Sequence, residues 1–125
     1  MNIRQLTPYD VWKVRRIHEE YFANEFEFPD FFNKFHSAFV IEKDDQIIAA
    51  GGVRSIAEAV AITDMNQSVR TRREALYILL QASLFTCSRL RFDQLHAFVQ
   101  DEKWLRHLQR AGFEHTRGTS LFLGV

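Results

Sequence analysis

Three arginines occupy the start of an apolar segment that has the spacing of a helix. They are Arg70, Arg72 and Arg73, in the stretch VRTRREALYILL. The first turn of a helix carries free backbone N–H groups and the positive end of the helix dipole, so basic side chains are mildly unfavourable there. An anion at this end would offset that cost, and phosphate groups suit both helix N-termini and arginine side chains. The alternative is a solvated arginine face that binds nothing.

A second group of ionisable residues alternates with phenylalanines. Glu25, Phe26, Glu27 and Phe28 follow one another, and Asp30 comes shortly after them. In an extended segment this alternation turns both glutamates to one side and both rings to the other. The same connection is rich in further phenylalanines, and the simplest interpretation is that most of them fill the core. They are Phe22, Phe31, Phe32, Phe35 and Phe39.

Other kinds of catalytic chemistry have no pattern in this sequence. The five histidines are dispersed, and no His/Cys pair has the spacing of metal ligands, so we expect no metal. No Ser/His/Asp or Cys/His arrangement stands out either. The single cysteine, Cys87, lies in an apolar helical pattern, which predicts a buried neutral thiol and fits a reducing cytoplasm.

These residues belong to an alternating series of strands and helices. Thr7-Pro8 predicts the start of a first helix, Asp44-Asp45 predicts a hairpin turn, and Gly112 predicts a helix end. The second long helix is apolar almost all round, so we expect it to be buried against a sheet. Strands are predicted over residues 1–6, 38–43, 46–53, 58–65, 94–100 and 119–125, and helices from residue 7, over 69–89 and over 101–112. The order is that of a mixed α/β layer.

Composition limits the class of protein. A chain of 125 residues predicts a single domain over 1–125, and a formal net charge of zero argues against a long nucleic acid as partner. The first residues, MNIRQLTPYD, have no apolar core of signal-peptide length, and no segment is apolar for long enough to span a bilayer. We therefore expect a cytoplasmic protein that does not bind membranes.

The order of elements and three motifs resemble the GNAT acetyltransferase superfamily over essentially the whole chain. The hairpin FVIEKDDQIIAAGGV looks like the second and third strands of that fold. The stretch AVAITDMNQSVRTRREALYILL is similar to the acyl-CoA signature, with Arg70 and Ala75 at its first and last positions. The segment DEKWLRHLQRAGFE resembles the last helix and its Gly-Phe ending. The resemblance implies a mostly antiparallel central sheet flanked by helices.

The resemblance also implies an activity, which is direct transfer of an acetyl group from acetyl-CoA to an amine. The pyrophosphate would rest on the six residues of the loop and helix start, which are Arg70, Thr71, Arg72, Arg73, Glu74 and Ala75. A backbone N–H near Asp64 and Met65 would polarise the thioester carbonyl. Glu58 is the first choice for the general base because its alternation with Val60 and Ile62 places it on a defined strand face, and His96 is the second choice because imidazole titrates near neutrality.

Three features of the resemblance leave alternatives open. Arg73 stands where the family usually has glycine, and Leu108 stands at the position of a frequent tyrosine acid. The acceptor amine would meet Glu25, Glu27 and Asp30, because the segment after the first helix helps to wall the acceptor site in the family, and a cationic amine would suit these carboxylates. A homodimer is compatible with this fold. The different-class alternative is a binding or assembly module that has lost its chemistry, or a binder of short phosphate or nucleic-acid ligands through Arg70–Arg73.

Overall fold

The computed structural model describes residues 1–125, and the chain folds into two compact units. Unit 1 comprises residues 1–55 and 114–125, and unit 2 comprises residues 56–113. Strands and helices alternate along both, which confirms a mixed α/β protein. The expectation of a single domain stays a prediction.

Unit 1 is a three-stranded antiparallel sheet with one helix. Its strands are β1 (Asn2–Gln5), β2 (Phe35–Lys43) and β3 (Gln46–Arg54), in that spatial order. Helix α1 (Val11–Tyr21) follows a short 3-10 turn at Pro8–Asp10, as Thr7-Pro8 predicts. The core forms where α1 and the sheet meet, and Val40 at its centre is completely buried.

The hairpin between β2 and β3 turns at Asp44 and Asp45, as the sequence predicts. Both residues have positive φ, 52° and 62°, and Lys43 pairs directly with Gln46. Two central residues with positive φ form the turn type whose twist matches that of the flanking strands, and aspartate tolerates this conformation better than most residues.

An ion-pair network holds the first turn of unit 1 to the sheet. The guanidinium of Arg4 donates to both carboxylate oxygens of Asp10, at 2.7 and 2.8 Å, and also to Glu42. The carboxylate of Asp10 further accepts from the backbone N–H and the hydroxyl of Thr7. The hydrogen bonds from Arg4 hold the pKa of the buried Asp10 carboxyl well below its usual range. The entry into α1 is therefore anchored by charge as well as by packing.

Unit 2 is a β-α-β-α unit with a short parallel pair of strands. It contains β4 (Ala57–Glu58), α2 (Val69–Arg89), β5 (Leu95–His96) and α3 (Glu102–Arg110). Strand β4 runs parallel to β5, and α2 forms the crossover between them. Helix α3 ends at Gly112, which has the left-handed φ of 103° and closes the turn predicted from the sequence.

Three expected strands are shorter than predicted or missing. Residues 59–65 and 97–100 are not strand, and residues 119–125 contain no strand at all. Alternating apolar residues supply strand propensity, but a strand also needs an edge to pair with. Ile62 and Phe122 show the consequence, because they are 89% and 99% exposed. The mostly antiparallel central sheet is present only as the three strands of unit 1.

The expectation that α2 is buried against a sheet is also wrong. Of its residues only Cys87 is buried, as predicted, whereas Tyr77, Ile78 and Phe85 are exposed. A helix of this length is about 30 Å long, while two paired residues extend only about 7 Å along a strand. The parallel pair of unit 2 therefore cannot cover the helix that connects it.

Candidate functional site

The two candidate bases are brought together by the parallel pair of unit 2. Glu58 on β4 and His96 on β5 are direct partners in the register, and the backbone N–H of Ala59 donates to the carbonyl oxygen of His96 at 2.8 Å. Paired residues of neighbouring strands project to the same face, with backbones about 4.8 Å apart. Carboxylate and imidazole therefore share one face at the end of the strand pair. Glu58 is exposed and His96 is half-buried.

The topology also brings the start of α2 to that end of the strand pair. In a β-α-β unit the carboxyl ends of the parallel strands and the N-terminus of the connecting helix lie at the same edge. Glu58 and His96 are the last residues of β4 and β5, and α2 begins at Val69 after the loop of residues 59–68. A base pair and a basic helix start therefore face one edge of unit 2.

Ser68 caps the basic helix start. Its hydroxyl oxygen accepts from the backbone N–H of Thr71 at 3.1 Å, and its carbonyl oxygen accepts from the N–H of Arg72 at 3.0 Å. Because α2 begins at Val69, the N–H groups from Arg72 onward are engaged inside the helix. Val69 and Arg70 supply the first N–H groups, which have no acceptor within the helix. An anion here has two backbone donors, and arginine side chains must supply the rest.

The three arginines differ in their surroundings. Arg70 and Arg73 are exposed, as are Thr71, Glu74 and Ala75. Arg72 is half-buried, and its Nη1 atom donates to the sulfur of Met65 at 3.1 Å. Its Nε atom is buried and has no hydrogen-bond partner. A buried N–H of a cation without an acceptor is costly, so this guanidinium has a donor left for an anionic oxygen.

Asp64 and Met65 lie in a turn and not on the strand that the sequence predicts. The carboxylate of Asp64 accepts from the backbone N–H of Asn66 at 2.9 Å, and its carbonyl oxygen accepts from the N–H of Gln67 at 3.2 Å. This local turn redirects the chain toward Ser68, and it competes with strand pairing because the aspartate side chain satisfies the backbone itself. Their role at the thioester carbonyl stays a prediction.

The acidic residues predicted at the acceptor site all belong to unit 1. Glu25 and Glu27 are exposed, while Phe26 and Phe28 both pack edge-on against the ring of His18 at 5.1 and 5.5 Å. The Asp30 carboxylate accepts from the side-chain amide of Asn33 at 3.1 and 3.2 Å. Asp30 thus stabilises a local turn. Binding of an amine by these three carboxylates stays a prediction.

Two residues near the site were not singled out from the sequence. Ser68 could have been recognised, because serine directly before an apolar helical pattern is a typical N-cap. Gln94 lies two residues before His96, and its side-chain oxygen is 3.1 Å from the Nε2 atom of that imidazole. Residues two apart in an extended segment share a face, so the spacing alone allowed this contact to be anticipated.

Comparisons with known proteins add no relative to this picture. No family model, no curated protein and no solved structure matches the chain. The structure contains no group of three or more His, Cys, Asp or Glu side chains placed to hold a metal ion, and no helix that is long and apolar enough to cross a membrane. The family of this protein therefore stays a hypothesis carried by its own residues.

Proposed function

We propose that this protein is an N-acetyltransferase of the GNAT type, which transfers the acetyl group of acetyl-CoA directly to an amine. One observation carries the proposal, namely the parallel pairing of Glu58 with His96 at the edge of unit 2 where the basic start of α2 lies. That arrangement combines a proton acceptor with a phosphate-sized anion site. These are the two functions that direct transfer from a phosphate-bearing thioester needs from a protein.

The anion side of the proposal rests on the start of α2. The N–H groups of Val69 and Arg70 and the guanidinium of Arg72 supply donors for the pyrophosphate, and Arg70 and Arg73 supply charge from exposed positions. The N–H groups of Glu74 and Ala75 are within the helix, so their part in the predicted cradle is limited to shape. Arg73 replaces the close backbone approach that a glycine would allow with a charged side chain.

The reaction needs little covalent help from the protein. The amine nitrogen forms a C–N bond to the thioester carbonyl carbon, the C–S bond breaks, and the electron pair leaves on sulfur. His96 and Glu58 accept the proton that the attacking nitrogen must lose, and solvent returns a proton to the thiolate. No protein nucleophile is required, in agreement with a sequence that contains no nucleophile and base pattern.

Titration calorimetry with acetyl-CoA tests the binding half of the proposal. We expect the wild-type protein to bind acetyl-CoA and CoA, and the double variant Arg70→Gln with Arg72→Gln to lose at least tenfold in affinity, because each charge-assisted hydrogen bond contributes about 1.5–3 kcal/mol. The double variant Arg89→Gln with Arg110→Gln removes the same charge from the last turns of α2 and α3, at exposed positions, and should bind normally. No binding by the wild type overturns the proposal.

Thiol release from acetyl-CoA across a panel of amines tests the chemical half. Transfer that depends on Glu58 or His96 supports the enzyme, with a drop of about 10²-fold or more in kcat expected when the base is removed. Binding of CoA without transfer to any amine instead identifies the alternative, a module that has kept the fold and lost the chemistry. A stronger response to a short oligonucleotide than to CoA identifies the nucleic-acid binder.

A further inference from the structure

We propose that Gln94 is a positioning residue that fixes the proton of His96 on Nε2 and leaves Nδ1 as the atom that accepts a proton. The inference rests on the proposed function for its chemical meaning, and on the geometry of unit 2 for its content. The Oε1 atom of Gln94 lies 3.1 Å from Nε2 of His96. A carbonyl oxygen only accepts hydrogen bonds, so the nitrogen that faces it must carry the hydrogen.

Strand geometry places the three polar groups on one face. Gln94 and His96 are two residues apart in the extended segment that leads into β5, and Glu58 is the register partner of His96 on β4. The order across this face is amide, imidazole, carboxylate. A neutral imidazole has one donor and one acceptor nitrogen, and a hydrogen bond to the first decides which nitrogen is the second.

The arrangement divides the work between the two neighbours of the imidazole. Gln94 sets the tautomer and the ring orientation without adding charge, and Glu58 stabilises the imidazolium that forms once His96 has taken a proton. A carboxylate at position 94 would do both at once and hold the proton more tightly. The neutral amide instead leaves the imidazole free to pass the proton on.

The matched variants are Gln94→Met and Gln94→Glu. Methionine keeps the length of the side chain and removes the acceptor oxygen, whereas glutamate keeps an acceptor at the same reach. The side chain of Gln94 is exposed, so neither variant alters the core. A His96→Asn variant assigns the His96 signals among the five histidines.

The deciding measurement is the tautomer of His96 by nitrogen-15 NMR of histidine-labelled protein under mildly alkaline conditions, where imidazoles are neutral. We expect a pyrrole-like Nε2 and a pyridine-like Nδ1 in the wild type and in Gln94→Glu, and signals averaged toward a mixture of tautomers in Gln94→Met. A protonated Nδ1 in the wild type overturns the proposal. So does a Gln94→Met spectrum identical to that of the wild type.

Kinetics separate positioning from mere support of the fold. We expect Gln94→Met to lower kcat about tenfold, the usual cost of losing a hydrogen bond that orients a functional histidine, with an unchanged KM for acetyl-CoA. Gln94→Glu should retain more activity than Gln94→Met. Equal loss in both variants, or a loss confined to KM, contradicts the proposal. Absence of acetyl-CoA binding overturns the proposed function, and it is recognised separately because the tautomer is measured without ligand.

Discussion

Replacing Arg70 by glutamate should stabilise the free protein and weaken its binding of acetyl-CoA at the same time. Arg70 is the second residue of α2 and is exposed, so no packing is lost. The helix dipole disfavours a cation and favours an anion there by about 0.3–1 kcal/mol each. The variant should therefore gain about 1 kcal/mol, which raises the Tm of a chain of this size by roughly 4 °C.

The order reverses when acetyl-CoA is present. A ligand at a hundred times its Kd stabilises a protein by about 2.7 kcal/mol, and the wild type should show this gain in full. The variant loses a charge-assisted hydrogen bond of about 1.5–3 kcal/mol and adds repulsion between carboxylate and pyrophosphate. Its ligand-dependent gain should be close to zero, so the wild type becomes the more stable of the two.

Thermal unfolding of both proteins, with and without acetyl-CoA, measures this crossing directly. Arg89→Glu is the matched control, because it makes the same change of charge in the last turn of α2. That control should lower the Tm of the free protein and leave the acetyl-CoA shift unchanged. A free Arg70→Glu protein that is less stable than the wild type, or one that keeps the full ligand shift, refutes the assignment of the anion site.

Three further predictions concern unit 1. A Cβ atom at Gly52 would lie 1.9 Å from a backbone oxygen of β2, whereas one at Gly51 meets nothing within 4 Å, so urea unfolding should show Gly52→Ala destabilised by about 3 kcal/mol or more and Gly51→Ala nearly unchanged. Val40→Ala should cost about 2 kcal/mol in the same assay, because its side chain is fully buried. The hydrogen bonds from Arg4 hold the pKa of Asp10 below its usual range, so this pair contributes stability above about pH 4 and loses it as the pH falls further. The difference in urea midpoint between the wild type and Asp10→Asn should therefore shrink between about pH 5 and pH 2, and a constant difference would contradict this reasoning.

The elements that sequence analysis located well are those specified by neighbours in the chain. The hairpin at Asp44 and Asp45, the end of α3 at Gly112 and the start of α1 after Thr7-Pro8 all depend on local backbone chemistry. The limits of α2 follow from the apolar pattern between Val69 and Arg89. Such signals act over a few residues, so they can be recognised without knowledge of the fold.

The elements that sequence analysis located poorly are those that depend on a distant partner. Val60 and Ile62 have the alternation of a strand, yet the pairing of β4 ends at Glu58 because β5 contributes only Leu95 and His96 to it. Alternation describes a residue's suitability for a sheet and contains no information on where the neighbouring strand stops. The contact of His96 with Glu58 was hidden for the same reason, since nothing local couples two strands across a helix.

The chemistry of the helix start follows from how many of its donors are backbone groups. A glycine-rich cradle holds phosphate with many N–H groups, whose dipoles are fixed and do not depend on ionic strength in the way that charges do. Here the cap by Ser68 and the early start of α2 leave two backbone donors, and Arg70, Arg72 and Arg73 must supply the rest of the attraction. Exposed charges are screened by salt over about 10 Å at 0.1 M. Affinity for acetyl-CoA that falls steeply with salt would therefore identify a side-chain cradle, the form of the site that replaces glycine with Arg73.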